Sequence, residues 1–94
     1  EDGRVVGYIT TRTDRHSRIG RIPNLSVLPE YRGRGIGKAL MKAALDYFAA
    51  EGMLAARIET LEHNDIGRRF YPQVGFVEVA RQIHYAMPLR DRTT

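Results

Sequence analysis

The residues best suited to chemistry lie in one short stretch, PEYRGRGIGKAL, at positions 29–40. It holds three glycines and two arginines: Gly33, Gly35, Gly37, Arg32 and Arg34. A glycine turn that ends in a helix N-terminus presents several backbone N–H groups and the positive end of the helix dipole to one point. Glycine allows the backbone to adopt a positive φ and to approach a phosphate closely. The stretch therefore predicts an anion-binding loop.

Two common phosphate-binding loops do not fit these letters. A Walker loop requires glycine at the position of Arg32 and serine or threonine at the position of Ala39. A dinucleotide fingerprint requires G-x-G-x-x-G, whereas this loop reads G-x-G-x-G. A plain flexible turn is the other alternative. The arginines, the preceding strand pattern and the following amphipathic helix favour the anion-binding interpretation.

Composition excludes several classes of chemistry. The chain has no cysteine, so a disulfide framework, a thiolate metal site and a cysteine nucleophile are excluded. Its histidines, His16, His63 and His84, lack metal-ligand spacing, and we expect no metal site. The net charge of +4 favours an anionic ligand in general. The aromatic residues do not alternate with the basic ones as a nucleic-acid stacking platform requires, so we expect no nucleic-acid partner.

Length and hydropathy predict one small domain over residues 1–94. The most hydrophobic stretch, residues 36–58, is interrupted by charged side chains and is not expected to span a bilayer. We recognise no secretory signal, and the chain opens on Glu1. We therefore expect a cytoplasmic protein with no membrane partner.

Apolar periodicity and turn residues predict the secondary structure. Strands are predicted at 3–12, 21–28 and 54–61, with a hairpin loop at 13–20 and one or two further strands within 75–89. Pro23 has no N–H for a ladder, so it predicts a bulge or an unpaired stretch in the second strand. One helix is predicted from Gly35 or Gly37 to Gly52, and another from Asn64 or Asp65 to Pro72. This order predicts an α/β (α+β) fold in which the first helix is a crossover between strands.

Two segments together resemble the GNAT family of N-acetyltransferases. LSVLPEYRGRGIGKALM, residues 25–41, is similar to its acyl-CoA-binding signature of Arg or Gln, two residues, Gly, one residue, then Gly or Ala, matched by Arg32, Gly35 and Gly37. IETLEHNDIGRRFYPQVGF, residues 58–76, is similar to its next motif, in which an asparagine precedes a tyrosine by seven residues and a Gly-Phe pair follows. The two motifs in this order are more specific than either alone, and they cover roughly residues 22–78.

The resemblance implies the GNAT acyltransferase fold, with a mixed, largely antiparallel central sheet, and acetyl-CoA as cofactor. The main chain of Leu25, Ser26 and Val27 would lie beside the pantetheine arm and the acetyl carbonyl. Asn64 would reach the cofactor arm. The pyrophosphate would be cradled by the backbone amides of Gly33, Arg34, Gly35, Ile36, Gly37 and Lys38. Arg32 or Arg34 would add positive charge.

The resemblance also implies two catalytic residues. Tyr71 would donate a proton to the departing thiolate, since a phenol with a pKa of about 10 is protonated at neutral pH. Glu59 matches a position that serves in some members as general base for the incoming amine. Each has a structural alternative: Tyr71 as a packed aromatic at a helix end, and Glu59 as a solvent-exposed carboxylate on a strand. Asn64 has a compatible second role as a helix cap.

Members of the family usually carry a first strand, two helices and another strand before the region that begins at Gly3. The chain is therefore expected to be the C-terminal portion of a longer protein, a minimal domain, or one that completes itself as a homodimer. The predicted function is acetyl transfer to a primary amine of a small molecule or a protein. The alternatives are a non-catalytic acyl-CoA-binding module, an inactive truncated domain and, third, a small basic nucleic-acid-binding domain. The acceptor stays open.

Overall fold

The computed structural model describes residues 3–60 and 64–89. Within these residues it has five short strands and two α-helices, joined in the order strand, strand, strand, strand, helix, strand, helix. They are β1 (Gly7–Ile9), β2 (Arg12–Asp14), β3 (Ile19–Arg21), β4 (Leu25–Val27), α1 (Ile36–Ala50), β5 (Ala55–Arg57) and α2 (Asp65–Gln73).

Four of the strands form one long, bent hairpin. β1 pairs antiparallel with β4, and β2 pairs antiparallel with β3. At the bend between the two pairs, the Thr10 amide donates to the Asn24 carbonyl oxygen (2.9 Å) and the Asn24 amide donates to Thr10 Oγ1 (2.9 Å). The predicted strand at 3–12 is therefore divided into β1 and the start of β2. The predicted loop at 13–20 is shorter than expected, because β2 and β3 extend into it.

β5 joins this hairpin in parallel with β3. Parallel neighbours require a crossover connection, and α1 supplies it between β4 and β5. With two antiparallel pairs and one parallel pair among the described strands, the predicted α/β (α+β) fold with a mixed, largely antiparallel sheet is confirmed.

The predicted interruption at Pro23 is also confirmed. The segment 21–28 does not form one strand but ends β3 at Arg21 and restarts as β4 at Leu25. The Ile22 amide still donates to the Arg57 carbonyl oxygen (3.1 Å), and Pro23, which follows, has no N–H to continue the ladder. Because of this break, β3 stays with β5, while β1 is the one described strand that pairs with β4.

A small core lies between α1 and one face of the sheet. Met41, Ala44 and Phe48 are buried at spacings of three and four residues, which aligns them along one side of the helix. Gly20 lies directly under the Phe48 ring, since a Cβ there would be 2.5 Å from Phe48 Cδ1. α1 ends, as predicted, before Gly52, whose φ of +79° only glycine adopts without strain.

α2 begins and ends at helix-terminating residues. Asn64 Oδ1 accepts a hydrogen bond from the Gly67 amide (3.1 Å), which is the predicted N-cap. The helix continues to Gln73, one residue beyond the predicted end at Pro72. Pro72 has no N–H to donate to the Arg68 carbonyl, but the Val74 amide closes the last turn by donating to the carbonyl oxygens of Phe70 (3.3 Å) and Tyr71 (3.2 Å).

The prediction of strands within 75–89 is wrong for this structure. These residues form no strand, and they expose apolar side chains such as Val77, Val79 and Tyr85. Alternating apolar residues favour an extended backbone, but a strand also needs a neighbouring ladder for its N–H and C=O groups. No described strand pairs with this segment. Separately, none of the described helices has the length and apolar character needed to cross a bilayer.

Candidate functional site

The sheet is interrupted where β3 ends and β4 begins, and we call the space beside the free edge of β4 the slot. The last contact between β3 and β5 is the hydrogen bond from the Ile22 amide to the Arg57 carbonyl. Beyond it, β4 keeps β1 on one edge, and its other edge has no described strand beside it. One edge of residues 25–27 therefore offers main-chain polar groups that the sheet does not use.

The hydrogen-bonding pattern identifies which residues face this free edge. In the β1–β4 ladder, Leu28 N bonds to Val6 O (2.8 Å) and Thr10 N bonds to Asn24 O (2.9 Å). Main-chain groups alternate between the two edges of an antiparallel strand, so those of Ser26 face β1 while those of Leu25 and Val27 face the slot. Of the three predicted residues, Leu25 and Val27 are the ones placed to bond a ligand through the main chain.

The glycine–arginine loop follows β4 and leads into α1. Gly33 and Gly35 have φ values of +80° and +81°, in the left-handed region that the sequence predicted for this loop. Gly35 is the N-cap of α1, and no side chain of the described residues caps the exposed amides of the first helical turn. A Cβ at either glycine would meet no atom within 4 Å. Open space thus lies beside the uncapped N–H groups of this loop, and this combination fits a phosphate group.

The two loop arginines contact residues that precede the loop. Arg32 Nε donates to the Val27 carbonyl oxygen (3.3 Å), which ties the loop back to β4. The Arg34 guanidinium stacks 4.6 Å from the centre of the Tyr31 ring. Lys38 is exposed in the first turn of α1. These three side chains give the loop a positive charge beside the uncapped amides.

Gly37 has a role that differs from those of the other two loop glycines. It lies inside α1, and a Cβ there would be in ordinary contact, at 3.5 Å, with Phe70 of α2. Ile36 is the first residue of α1, so the amides of both residues belong to the uncapped turn. Their predicted contribution through the main chain is therefore compatible with the geometry.

Glu59 lies just beyond the end of β5, on the sheet face opposite α1. Ala56 and Ile58 pack against the core, so the alternation of an extended chain directs Arg57 and Glu59 to the other face. Glu59 Oε1 accepts a hydrogen bond from Arg21 Nη1 at 3.3 Å, and both side chains are about half exposed. One carboxylate oxygen is therefore bonded to Arg21, and the other is open to a ligand.

Tyr71 lies on α2 and is half-buried on the α1 side of the sheet. Its ring meets Phe70 edge-on at 5.6 Å and Phe76 edge-on at 6.0 Å, measured between ring centres. This burial raises the pKa of the phenol above its ordinary value. The hydroxyl is therefore protonated at neutral pH, which is the state that a proton donor requires.

Gly67 is a site residue that the sequence did not reveal. It is buried, and a Cβ there would lie 2.7 Å from Thr60 Oγ1, 3.2 Å from Asn64 Nδ2 and 3.2 Å from Tyr71 Cε2. The missing side chain lets the end of β5, the helix cap and the tyrosine ring meet. A glycine four residues before the motif tyrosine was the available signal, although by helix propensity alone it only weakens α2.

The two candidate catalytic groups lie on opposite faces of the sheet. Glu59 lies on the open face of the sheet, and Tyr71 lies on the face covered by α1 and α2. Asn64 uses Oδ1 for the cap, which leaves its Nδ2 able to donate to a ligand. No group of three or more metal-ligating side chains occurs in the part of the chain that the structure describes.

Two curated relatives share this region. An uncharacterized N-acetyltransferase of Archaeoglobus fulgidus is 39% identical over an alignment of 75 residues, and the match covers 74% of this chain and 51% of the relative. The mycothiol acetyltransferase of Streptomyces griseus is 35% identical over 75 residues, 80% of this chain and 24% of the relative. This chain thus spans about half, or less, of the length of these relatives.

A solved structure and a family sequence model also match this chain. The structure of an aminoglycoside N-acetyltransferase, AAC(6')-Iy, in complex with CoA superposes with a TM-score of 0.79 at 25% identity. The match covers 94% of this chain and 71% of that chain. The sequence model of the acetyltransferase (GNAT) family matches residues 1–76, most of the length. The chain belongs to the acetyltransferase (GNAT) family.

Proposed function

We propose that this chain is an acetyl-CoA-dependent N-acetyltransferase domain that transfers an acetyl group to a primary amine. The observation that carries the proposal is the free edge of β4, which is followed by a glycine loop with an uncapped helix N-terminus. One feature binds a phosphate-bearing group, and the other receives an extended chain along an unused strand edge. Coenzyme A has a matching group for each feature: a pyrophosphate for the loop and a pantetheine arm for the strand edge.

The residues that hold the cofactor in this proposal are those that the geometry leaves open. The amides of residues 33–38 surround the pyrophosphate, and Arg32, Arg34 and Lys38 supply positive charge. The main-chain groups of Leu25 and the N–H of Val27 bond the pantetheine arm along the free edge of β4, since the Val27 carbonyl already accepts from Arg32. Asn64 donates from Nδ2 to the same arm. Bound acetyl-CoA supplies an activated thioester at the slot.

The protein's own groups then perform three tasks. Glu59 accepts a proton from the incoming ammonium, directly or through water, so that the amine becomes nucleophilic. A main-chain N–H on the free edge of β4, at Leu25 or Val27, donates to the carbonyl oxygen as negative charge develops on it. Tyr71 donates its proton to the departing sulfur. No covalent enzyme intermediate is required.

A non-catalytic acyl-CoA-binding module is the second candidate. The chain spans 51% of one curated relative and 24% of another. Such a module would use the same loop and strand edge, but it would not need the proton donor or the base.

Turnover by a tyrosine variant separates these two functions. We expect Tyr71→Phe to lower kcat about tenfold or more, because general acid catalysis contributes at least that much, while acetyl-CoA affinity changes little. Tyr47→Phe makes the same chemical change on the exposed side of α1 and should leave both quantities unchanged. Free thiol release with a panel of primary amines is the assay. Acetyl-CoA binding without turnover would instead indicate a binding module.

A further inference from the structure

Three arginines form a row across the open face of the sheet. The register pairs Arg12 of β2 with Arg21 of β3, and Arg21 with Arg57 of β5. Gly20 lies under Phe48 and Ala56 packs against the core, so their sequence neighbours Arg21 and Arg57 point to the face opposite α1. Paired residues of neighbouring strands share a face, which places Arg12 there as well. We call these three residues the arginine row.

The row has more positive charge than its described neighbours neutralise. Arg21 is paired with Glu59 at 3.3 Å, and no described residue forms an ion pair with Arg12 or Arg57. Asp14 faces the same side, but its Oδ1 accepts the amides of His16 (2.8 Å) and Ser17 (3.4 Å) in the adjoining turn. Like charges directly opposite one another destabilise a sheet. A ligand with a negative charge would offset this cost.

The row is continuous with the candidate base. Arg57 and Glu59 are two residues apart on one strand line, a separation of about 6 to 7 Å along the backbone. An acceptor whose amine meets Glu59 therefore places a group several bonds away opposite Arg57. A guanidinium binds a carboxylate through two parallel hydrogen bonds, which an ammonium or a hydroxyl does not match.

We propose that the arginine row selects the acceptor, and that Arg57 binds a carboxylate carried by the amine substrate. This inference rests on the proposed function and names its substrate class: an amine with an acidic group several bonds from the nitrogen. Arg21 is a positioning residue that holds one oxygen of Glu59 and leaves the other for the ammonium. The surplus positive charge disfavours polycationic amines on this face.

L-Glutamate and L-glutamine are the matched probes, because they differ only in the side-chain carboxylate. Their affinities for the whole chain are measured by ¹H–¹⁵N chemical-shift titration at low salt. We expect glutamate to bind more tightly than glutamine. Arg57→Gln should weaken glutamate about tenfold or more, as loss of a charge-assisted hydrogen bond predicts, and should leave glutamine unchanged. Arg57→Lys should retain part of the preference.

Arg15→Gln is the control, since it removes the same charge from the β2–β3 turn, outside the row. Equal affinities for the two probes, or equal weakening of glutamate by Arg15→Gln and Arg57→Gln, would overturn the proposal. Acetyl-CoA titration of the same samples separates the two claims. Acetyl-CoA binding without glutamate selectivity overturns the arginine row alone. Arginine-dependent glutamate binding without acetyl-CoA binding supports the row as an anion site and overturns acetyl transfer.

Discussion

Replacing Gly67 by alanine should damage the site through packing alone. The added methyl group would lie 2.7 Å from Thr60 Oγ1 and 3.2 Å from both Asn64 Nδ2 and Tyr71 Cε2. None of these three side chains can move away easily. Threonine is stiff about χ1, the Asn64 side chain is held by its cap bond, and the Tyr71 ring lies between two phenylalanine rings. Relief therefore requires α2 to move away from β5.

The size of the effect follows from two opposing terms. Overpacking by one methyl group costs about 1 to 3 kcal/mol. Alanine regains up to about 1 kcal/mol of helix propensity, and less near a helix N-terminus such as this one. The net expectation for Gly67→Ala is a loss of about 1 kcal/mol, or more, in the free energy of unfolding. In a domain of this size that lowers Tm by about 4 to 8 °C.

Thermal and urea unfolding of Gly67→Ala and Gly37→Ala provide the assay. Gly37 is also helical, but its added methyl group would make only ordinary contact with Phe70 at 3.5 Å. Gly37→Ala should therefore be as stable as the wild type or more stable. We also expect Gly67→Ala to lower turnover, because the Tyr71 ring must shift. A Gly67→Ala protein with wild-type Tm and wild-type turnover would refute the packing described around Gly67.

Two further predictions concern α2. Asn64→Ala should lower the free energy of unfolding, measured in urea, by about 1 kcal/mol because it removes the cap. Asn64→Asp should retain most of that stability, and equal losses in both variants would argue against the cap. Tyr71 contributes a pH dependence, because burial raises the pKa of its phenol and the folded state holds that proton more tightly. This stability is fully present below the ordinary tyrosine pKa of about 10 and is lost as the pH rises through the folded-state pKa. The free energy of unfolding should thus fall more steeply above about pH 10 in the wild type than in Tyr71→Phe, and equal slopes would contradict the burial.

Local chemistry explains which features the sequence predicted correctly. The positive φ of Gly33 and Gly35, the break at Pro23 and the Asn64 cap each follow from the properties of a single residue. Such features depend on neighbours within a few positions, so the amino-acid sequence contains the information needed to predict them.

Features that depend on register were not predictable in this way. The placement of Leu25 and Val27 on the slot, with Ser26 on the β1 side, depends on the pairing of β1 with β4. The arginine row depends on three strands separated along the chain by α1 and a turn. A shift of one residue in either pairing would reverse the faces, and the sequence alone does not specify the pairing.

The prediction of strands within residues 75–89 was wrong for a related reason. Its alternating pattern describes the preference of the side chains, but strand formation also depends on a neighbouring edge. The sequence did not reveal the packing role of Gly67, because helix propensity describes the helix alone. That role lies in the close approach of Thr60 and Tyr71 to Gly67. Both cases show tertiary contacts overriding a local preference.

The most direct test of the central claim is calorimetric titration of acetyl-CoA into the wild type, Gly35→Asn and Gly35→Asp. Asparagine and aspartate both tolerate the left-handed conformation of this residue and differ in charge. A carboxylate about 5 Å from a phosphate costs about 3 kcal/mol at an effective dielectric constant of about 20, and less where solvent screens it. We predict saturable binding to the wild type, similar binding to Gly35→Asn, and binding at least about tenfold weaker to a folded Gly35→Asp. Equal affinity in the asparagine and aspartate variants, or no binding to the folded wild type, would contradict the claim that this loop holds the cofactor.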